Sequence, residues 1–258
     1  MNGLSDLILA FSLCLPRFFV ALILIPGFSK QLLGGAVIRN SIAAALALPL
    51  LPSVIPHLGE VQSGTMLIGL IAKEAVIGLF IGFISAIPFW AIESAGFVID
   101  NQRGASMAST LNPLSGDQTS PLGILFNHAG TSLFFISGSV LLWLSAFYKT
   151  FLLWPMTDFP PQLVFNSVTL VFECFSELMN ITWRLAAPAI ITMFLSEFGL
   201  GLMNRFTPQM NVFFLAMPIK SGIALLVLLL YISLFFDAFL LELADFFLLT
   251  EQLEAWLP

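Results

Sequence analysis

The chain has 258 residues, 59% of them hydrophobic and only 9% charged, with a net charge of −6. An ordinary soluble domain carries about 25% charged residues, so this chain cannot clothe a water-facing surface and reads as a helical protein of the bilayer. The acidic balance argues against a nucleic-acid partner.

Apolar stretches run in chain order over 4–25, 36–56, 64–99, 122–147, 162–182, 184–203 and 212–236. A spanning helix needs about 20 residues, which predicts six to eight helices. The first stretch does not read as a secretory signal: Asp6 stands where a basic region is expected, Arg17 interrupts the run, and no small-residue cleavage site follows. It is expected to remain in the mature protein. The 64–99 stretch is too long for one upright span and contains Pro88, so it is either one tilted, kinked helix or two segments. The 162–182 stretch carries Asn166, Glu173 and Glu177, which suits a helix packed inside protein as well as a span.

Between these helices, "NQRGASMASTLNPLSGDQTSP" (101–121) is rich in Gly, Ser, Thr and Asn. A segment of this length without its own secondary structure tends to be functional or a passive linker. Its backbone must lie in water, against protein or in a water-filled cavity. Near the other end, "RFTPQMNVFFLAMPIKS" (205–221) breaks an apolar pattern with Pro208, Pro218 and the polar Gln209-Met210-Asn211 core, and places Arg205 and Lys220 near its ends. Beyond Lys220 no basic residue occurs; Asp237, Glu242, Asp245, Glu251 and Glu254 interleave with Phe and Leu in an acidic amphipathic pattern.

The residues that carry chemistry are ionisable side chains inside apolar runs: Arg17, Lys73, Glu74, Glu93, Arg184 and Glu197. At membrane depth a charge costs at least a few kcal/mol, so each is expected to face protein, a cavity or a partner. Structural pairing is the commoner fate, and a proton relay the sharper one. Adjacent Lys73 and Glu74 point about 100° apart on a helix, so they are not expected to face one partner squarely. In "GLFIG", Gly78 and Gly82 lie on one helix face and permit close helix approach. Pro188 in "RLAAPAIITMF" frees a carbonyl and is expected to kink its helix.

Enzymatic inventories come up short. His57 and His128 lie far apart with no Cys or His at ligand spacing, so no metal site is expected. No phosphate-binding loop, dinucleotide fingerprint or nucleophile elbow occurs, and no cofactor is expected. Cys14 and Cys174 read as small apolar residues rather than a disulfide.

The segments "PGFSKQLLGGAVIRNSIAAALALPLLP", "KEAVIGLFIGF", "AGFVIDNQRGASMASTLNPLSG" and "WRLAAPAIITMFLSEFGLGLMNRFTPQMNVFFLAMPIK" occur in an order that resembles the FliR/SpaR family of type III secretion export-apparatus proteins, nearly end to end. The most specific element is Pro208-Gln209-Met210-Asn211-Val212-Phe213 followed by Pro218-Ile219-Lys220. "DNQRG" and "MNVFFLAMPIKS" resemble the injectisome branch more than the flagellar one. Many flagellar relatives have an Asp where this chain has Asn112 before Pro113, so no carboxylate role carries over there.

The resemblance implies an all-α polytopic protein of the bacterial inner membrane, with bent helical hairpins that rise above the bilayer plane. It implies assembly with several copies of two smaller membrane subunits into a helical export gate, and contact with other export components and with unfolded secreted substrates. A loop of the subunit would help to plug the closed pore. The expected organisation is one membrane domain: N-terminal helices over 1–100, the plug candidate 101–121, C-terminal helices over 122–236 and an acidic tail 237–258. Within the plug, Gln102, Arg103, Gly104, Met107, Leu111, Asn112 and Pro113 are the candidate gating residues, with Met107 and Leu111 as a deformable seal. The intramembrane charges are assigned to assembly, led by Glu74 and Arg184. Arg205 and Lys220 are expected to pair with buried carboxylates, and Gln209 and Asn211 to bond to neighbouring subunits. The alternative is a proton-coupled small-solute transporter using Glu93 or Glu197 and a helix broken at Pro188. A passive membrane scaffold is the third possibility.

Overall fold

The computed structural model describes residues 3–60, 64–105, 120–156, 167–206 and 212–251, and these are helical with no strand among them. Among the described residues nine α-helices follow in order: α1 Gly3–Leu24, α2 Lys30–Leu33, α3 Ala36–Ala47, α4 Leu51–Val54, α5 Gly64–Arg103, α6 Pro121–Ile136, α7 Ser139–Leu153, α8 Ser167–Phe206 and α9 Val212–Glu251. Short 3-10 turns join the early ones. Among the described residues five helices are long and apolar enough to cross a membrane, and the interrupted pair α6 and α7 adds a sixth if taken as one span.

Three helices, α5, α8 and α9, have 40 residues each. At 1.5 Å per residue each is about 60 Å long, twice the roughly 30 Å of a hydrocarbon core. Each must therefore extend well beyond the apolar slab or lie steeply inclined in it. The 64–99 stretch is one helix that continues through Pro88, and residues 167–182 run on into the 184–203 stretch as α8, which continues through Pro188. One turn further on, Thr192 Oγ1 donates to the Pro188 carbonyl at 3.0 Å. α9 likewise runs through Pro218 and carries the acidic residues as far as Glu251.

The 122–147 stretch, by contrast, is interrupted. Ser137 N–H closes α6 on Leu133 O at 2.8 Å, and Gly138 adopts φ 80°, a left-handed conformation that any Cβ would strain. α6 itself starts by a sequence-encoded rule: Ser120 caps it by accepting from Gly123 N–H at 2.9 Å, with Pro121 in the first turn.

The chain divides into two compact units. The first comprises Met1–Ile87, Gly138–Cys174 and Ala244–Pro258. Its core is an aromatic ladder: Phe18 stacks on Phe147 at 4.5 Å and on Phe151 at 5.6 Å, and Trp143 meets Phe147 at 5.3 Å. Such pairs add about 0.5–1.5 kcal/mol beyond their burial. Gly78 and Gly82 let α5 lie directly on α1; a Cβ on Gly78 would sit 2.8 Å from Arg17 Cα, and one on Gly82 2.7 Å from Ala21 Cα.

The second unit comprises Pro88–Ser137 and Phe175–Leu243. Here Phe126 packs on Phe235 at 4.6 Å and Phe89 on Phe134 at 5.3 Å. Gly96 and Gly123 bring α5 and α6 together so closely that a Cβ on Gly96 would lie 2.6 Å from Gly123 Cα. Large apolar side chains also cover the outside of the helices, with Leu229 74% and Leu230 77% exposed on α9. Water would penalise such a surface; lipid or partner helices accept it.

Candidate functional site

Arg17, Lys73 and Glu74 converge inside the first unit, and all three are buried. Arg17 Nε donates to Glu74 Oε2 at 2.6 Å, one amino group donates to Thr150 Oγ1 at 3.2 Å, and the other to the Trp154 carbonyl at 2.9 Å. Its guanidinium also lies over the Phe151 ring, 3.9 Å from the centroid. Lys73 Nζ donates to the carbonyls of Pro155 at 2.7 Å and Met156 at 2.9 Å and sits 3.0 Å from Glu74 Oε1. The cluster thus holds two cations against one carboxylate. Backbone carbonyls just past the C-terminus of α7 supply the remaining negative potential, where the helix dipole also favours cations.

The two neighbours take different main partners, Arg17 for Glu74 and the Pro155 and Met156 carbonyls for Lys73, while the long lysine stem also reaches back to Glu74 Oε1. Glu74 is 0% exposed and every partner it has is in its own unit. Its pairing is internal to the chain.

The second constellation closes the base of the 101–121 segment. Asp100, which the sequence reading passed over within "DNQRG", is 3% exposed at the end of α5. Its Oδ2 accepts from Ser120 Oγ at 2.6 Å and from Leu122 N–H at 3.0 Å, while Oδ1 pairs with Arg103 at 2.7 Å. Ala105 N–H returns to the Asp100 carbonyl at 3.0 Å. One carboxylate therefore ties the last turn of α5 to the first turn of α6, on both sides of residues 106–119. Ser120-Pro121 before an apolar run was the readable signal of that far anchor.

Gly104 follows with φ 87°, and Met217 of α9 stands over it, its Cγ 3.5 Å from where a Cβ would be. Gln102 is partly buried in the same turn. Three positions on, Lys220 pairs with Glu197 of α8 at 3.1 Å. The segment base and the start of α9, singled out separately in the sequence, thus meet in one unit.

The remaining residues distribute as follows. Lys220 does find a carboxylate, but Glu197 is 48% exposed rather than buried. Arg205 lies exposed at the end of α8 and has no ion pair among the described residues. Arg184 pairs with Glu242 of α9 while remaining 67% exposed. Glu93 accepts from Asn127 Nδ2 at 2.5 Å. Pro188 and Pro218 sit inside continuous helices. Met107, Leu111, Asn112, Pro113, Pro208, Gln209, Met210 and Asn211 lie outside the described residues. Cys14 and Cys174 are free thiols. No group of three or more His, Cys, Asp or Glu that could hold a metal occurs among the described residues.

Long apolar helices, a buried ion cluster inside one unit and a polar segment tied at its base in the other define a multi-pass helical membrane protein without a recognisable catalytic constellation among the described residues. The chain belongs to the family described as bacterial export proteins, family 1, which matches residues 8–245. It is 48% identical over 234 residues to the "Yop proteins translocation protein T" of Yersinia pestis, covering 88% of this chain and 89% of that protein. It is 34% identical over 250 residues to the "Secretion system apparatus protein SsaT" of Salmonella typhimurium, covering 92% and 90%. Similarity to the "Flagellar biosynthetic protein FliR" of Bacillus subtilis is lower, 30% over 239 residues, covering 92% and 91%. The FliR/SpaR resemblance and its injectisome leaning therefore hold.

Proposed function

We propose that this chain is an export-gate subunit of a bacterial type III secretion system, seated in the inner membrane. It assembles there with several copies of two smaller membrane subunits into a conduit for unfolded proteins. The 101–121 segment acts as the plug of that conduit, and the chain itself performs no catalytic step.

The observation that carries the gating part is the Asp100 clasp. A polar segment rich in small residues has both ends held by one buried carboxylate, so it can leave a lumen without unravelling the helices that flank it. Gln102, Arg103 and Gly104 belong to its anchored base, and Met107, Leu111, Asn112 and Pro113 to the part that would seal. The names of the relatives supply the export context. Pro218 and Lys220 lie within α9 rather than in the turn that precedes it, and Gln209 and Asn211 serve the contact with neighbouring subunits.

Native mass spectrometry of the tagged chain, extracted in mild detergent from its own host, tests the assignment. One copy held in a larger hetero-oligomer with small hydrophobic subunits is the expected result. A stable monomer or homodimer, under conditions that preserve other membrane complexes, would overturn it.

A further inference from the structure

On the second unit, Trp90, Glu93, Ser94 and Phe97 recur at helical spacing and form one face of α5. Ser120, Gly123 and Ile124 of α6 lie opposite, and together the two faces line an open groove of about 540 Å³. The floor is close because Gly96 and Gly123 allow the two backbones to touch. The rim is apolar, and among the described residues it is left open, with Phe97 43% and Ile124 44% exposed.

Glu93 is the anomaly in this groove. Its carboxylate accepts one hydrogen bond, from the neutral amide of Asn127, and has no cation partner among the described residues. Glu74, Asp100, Glu197 and Glu242 each have one. The chain has nine lysines and arginines, and all nine lie among the described residues. Glu93 is exposed, and any counter-charge it takes would come from outside the chain.

Neither simple environment suits the groove. Water satisfies Glu93 but leaves the apolar rim exposed, whereas hydrocarbon covers the rim and strands the carboxylate. An apolar helix carrying one basic side chain satisfies both. The flanking rings of Trp90 and Phe97 add the attraction that aromatic faces offer a cation.

We infer that the groove between α5 and α6 docks a helix of a membrane-embedded partner subunit, which presents a lysine or arginine to Glu93. The inference rests on the reading that the chain assembles with other membrane subunits, and it adds the place and the charge of one contact.

The test compares wild type, Glu93→Gln and Glu93→Lys in the tagged chain, recovered from its own host in mild detergent. A photo-crosslinking residue at Ile124 in the wild-type background reports what fills the groove. Glu93→Lys should lower the recovered partner roughly tenfold and Glu93→Gln by less, as expected for a close charge pair at an interface. The crosslinked partner peptide should contain a lysine or arginine, and reversing that residue to glutamate should restore recovery with Glu93→Lys.

Should Glu93→Lys fail to accumulate in the membrane, Glu93→Gln and the crosslink decide. Full recovery of the complex with both variants would overturn the inference while leaving the export-gate reading intact. Adducts only to phospholipid, or only to a second copy of this chain, would overturn it in the same way. A wild-type chain that recovers no partner at all would overturn the inference together with the reading on which it rests.

Discussion

In the first unit Arg17, Lys73 and Glu74 are buried, and nearly every donor they carry is matched by a carboxylate, a hydroxyl or a carbonyl. In the second unit Arg184 and Glu197 keep much of their surface exposed, and Glu93 has only an amide for company. Both units draw their charges from apolar runs that look alike in sequence. The difference lies in what surrounds them. A saturated, dry cluster fixes the chain to itself, and removing one member is costly. Exposed or half-matched charges on long helices are available to something else. Sequence reasoning assigned all of them to assembly; the structure separates an internal frame from surfaces open to partners.

Breaking the internal frame gives the largest expected effect. Glu74→Gln leaves two buried cations without their carboxylate and should cost about 3–5 kcal/mol of stability, read as a lower unfolding midpoint in detergent. Replacing Arg17 and Glu74 together by methionine should cost less than Glu74→Gln alone, since no orphaned pair member is left between them. Equal or greater loss in the double variant would show that the hydrogen bonds to Thr150 and Trp154, rather than the ion pair, hold the cluster.

Packing contacts come next. Gly78→Ala forces a methyl to within 2.8 Å of Arg17 Cα, on backbone that cannot swing aside. Overpacking of this kind costs about 1–3 kcal/mol, and the same unfolding measurement checks it. Gly104→Ala strains a backbone held at φ 87° and should cost about 1 kcal/mol. Its effect should concentrate at the base of the 101–121 segment, as faster proteolysis there than in the first unit.

The smallest effect belongs to the exposed pairs. Lys220→Ala removes a partner from a half-exposed carboxylate and should change stability by about 0.2–1 kcal/mol. Arg184→Ala should leave the isolated chain's unfolding midpoint close to wild type. If either variant nevertheless abolishes recovery of the complex, the exposed charges of the second unit act in assembly, as the comparison of the two units implies.

Much of the fold was legible in sequence because lipid imposes a simple rule: apolar runs of sufficient length become helices. What the runs did not reveal was continuity. Pro88, Pro188 and Pro218 look like helix breakers, yet each lies within a 40-residue helix, because a helix can continue past one missing hydrogen bond when packing holds it. The real interruption, at Ser137-Gly138, is marked by a glycine in a left-handed conformation and not by a proline.

The site was legible in part. Motif spacing drew attention to Gln102-Arg103-Gly104 but not to Asp100, an ordinary carboxylate whose contacts are with Ser120 and Leu122, some 20 residues away. Periodicity separates the directions of Lys73 and Glu74, but it tracks where Cβ atoms point and not where a long side chain ends, so it did not reveal that Lys73 Nζ comes back to Glu74. Contacts made across the fold leave no local signature to read.

The central claim is that the segment tied by Asp100 seals a conduit, and its most direct test is membrane conductance of the purified complex with residues 106–116 deleted. The account predicts that the complex still assembles and leaks ions and small solutes, with Asp100→Asn leaking to a lesser degree. A deleted complex that assembles fully and conducts no more than wild type would contradict it.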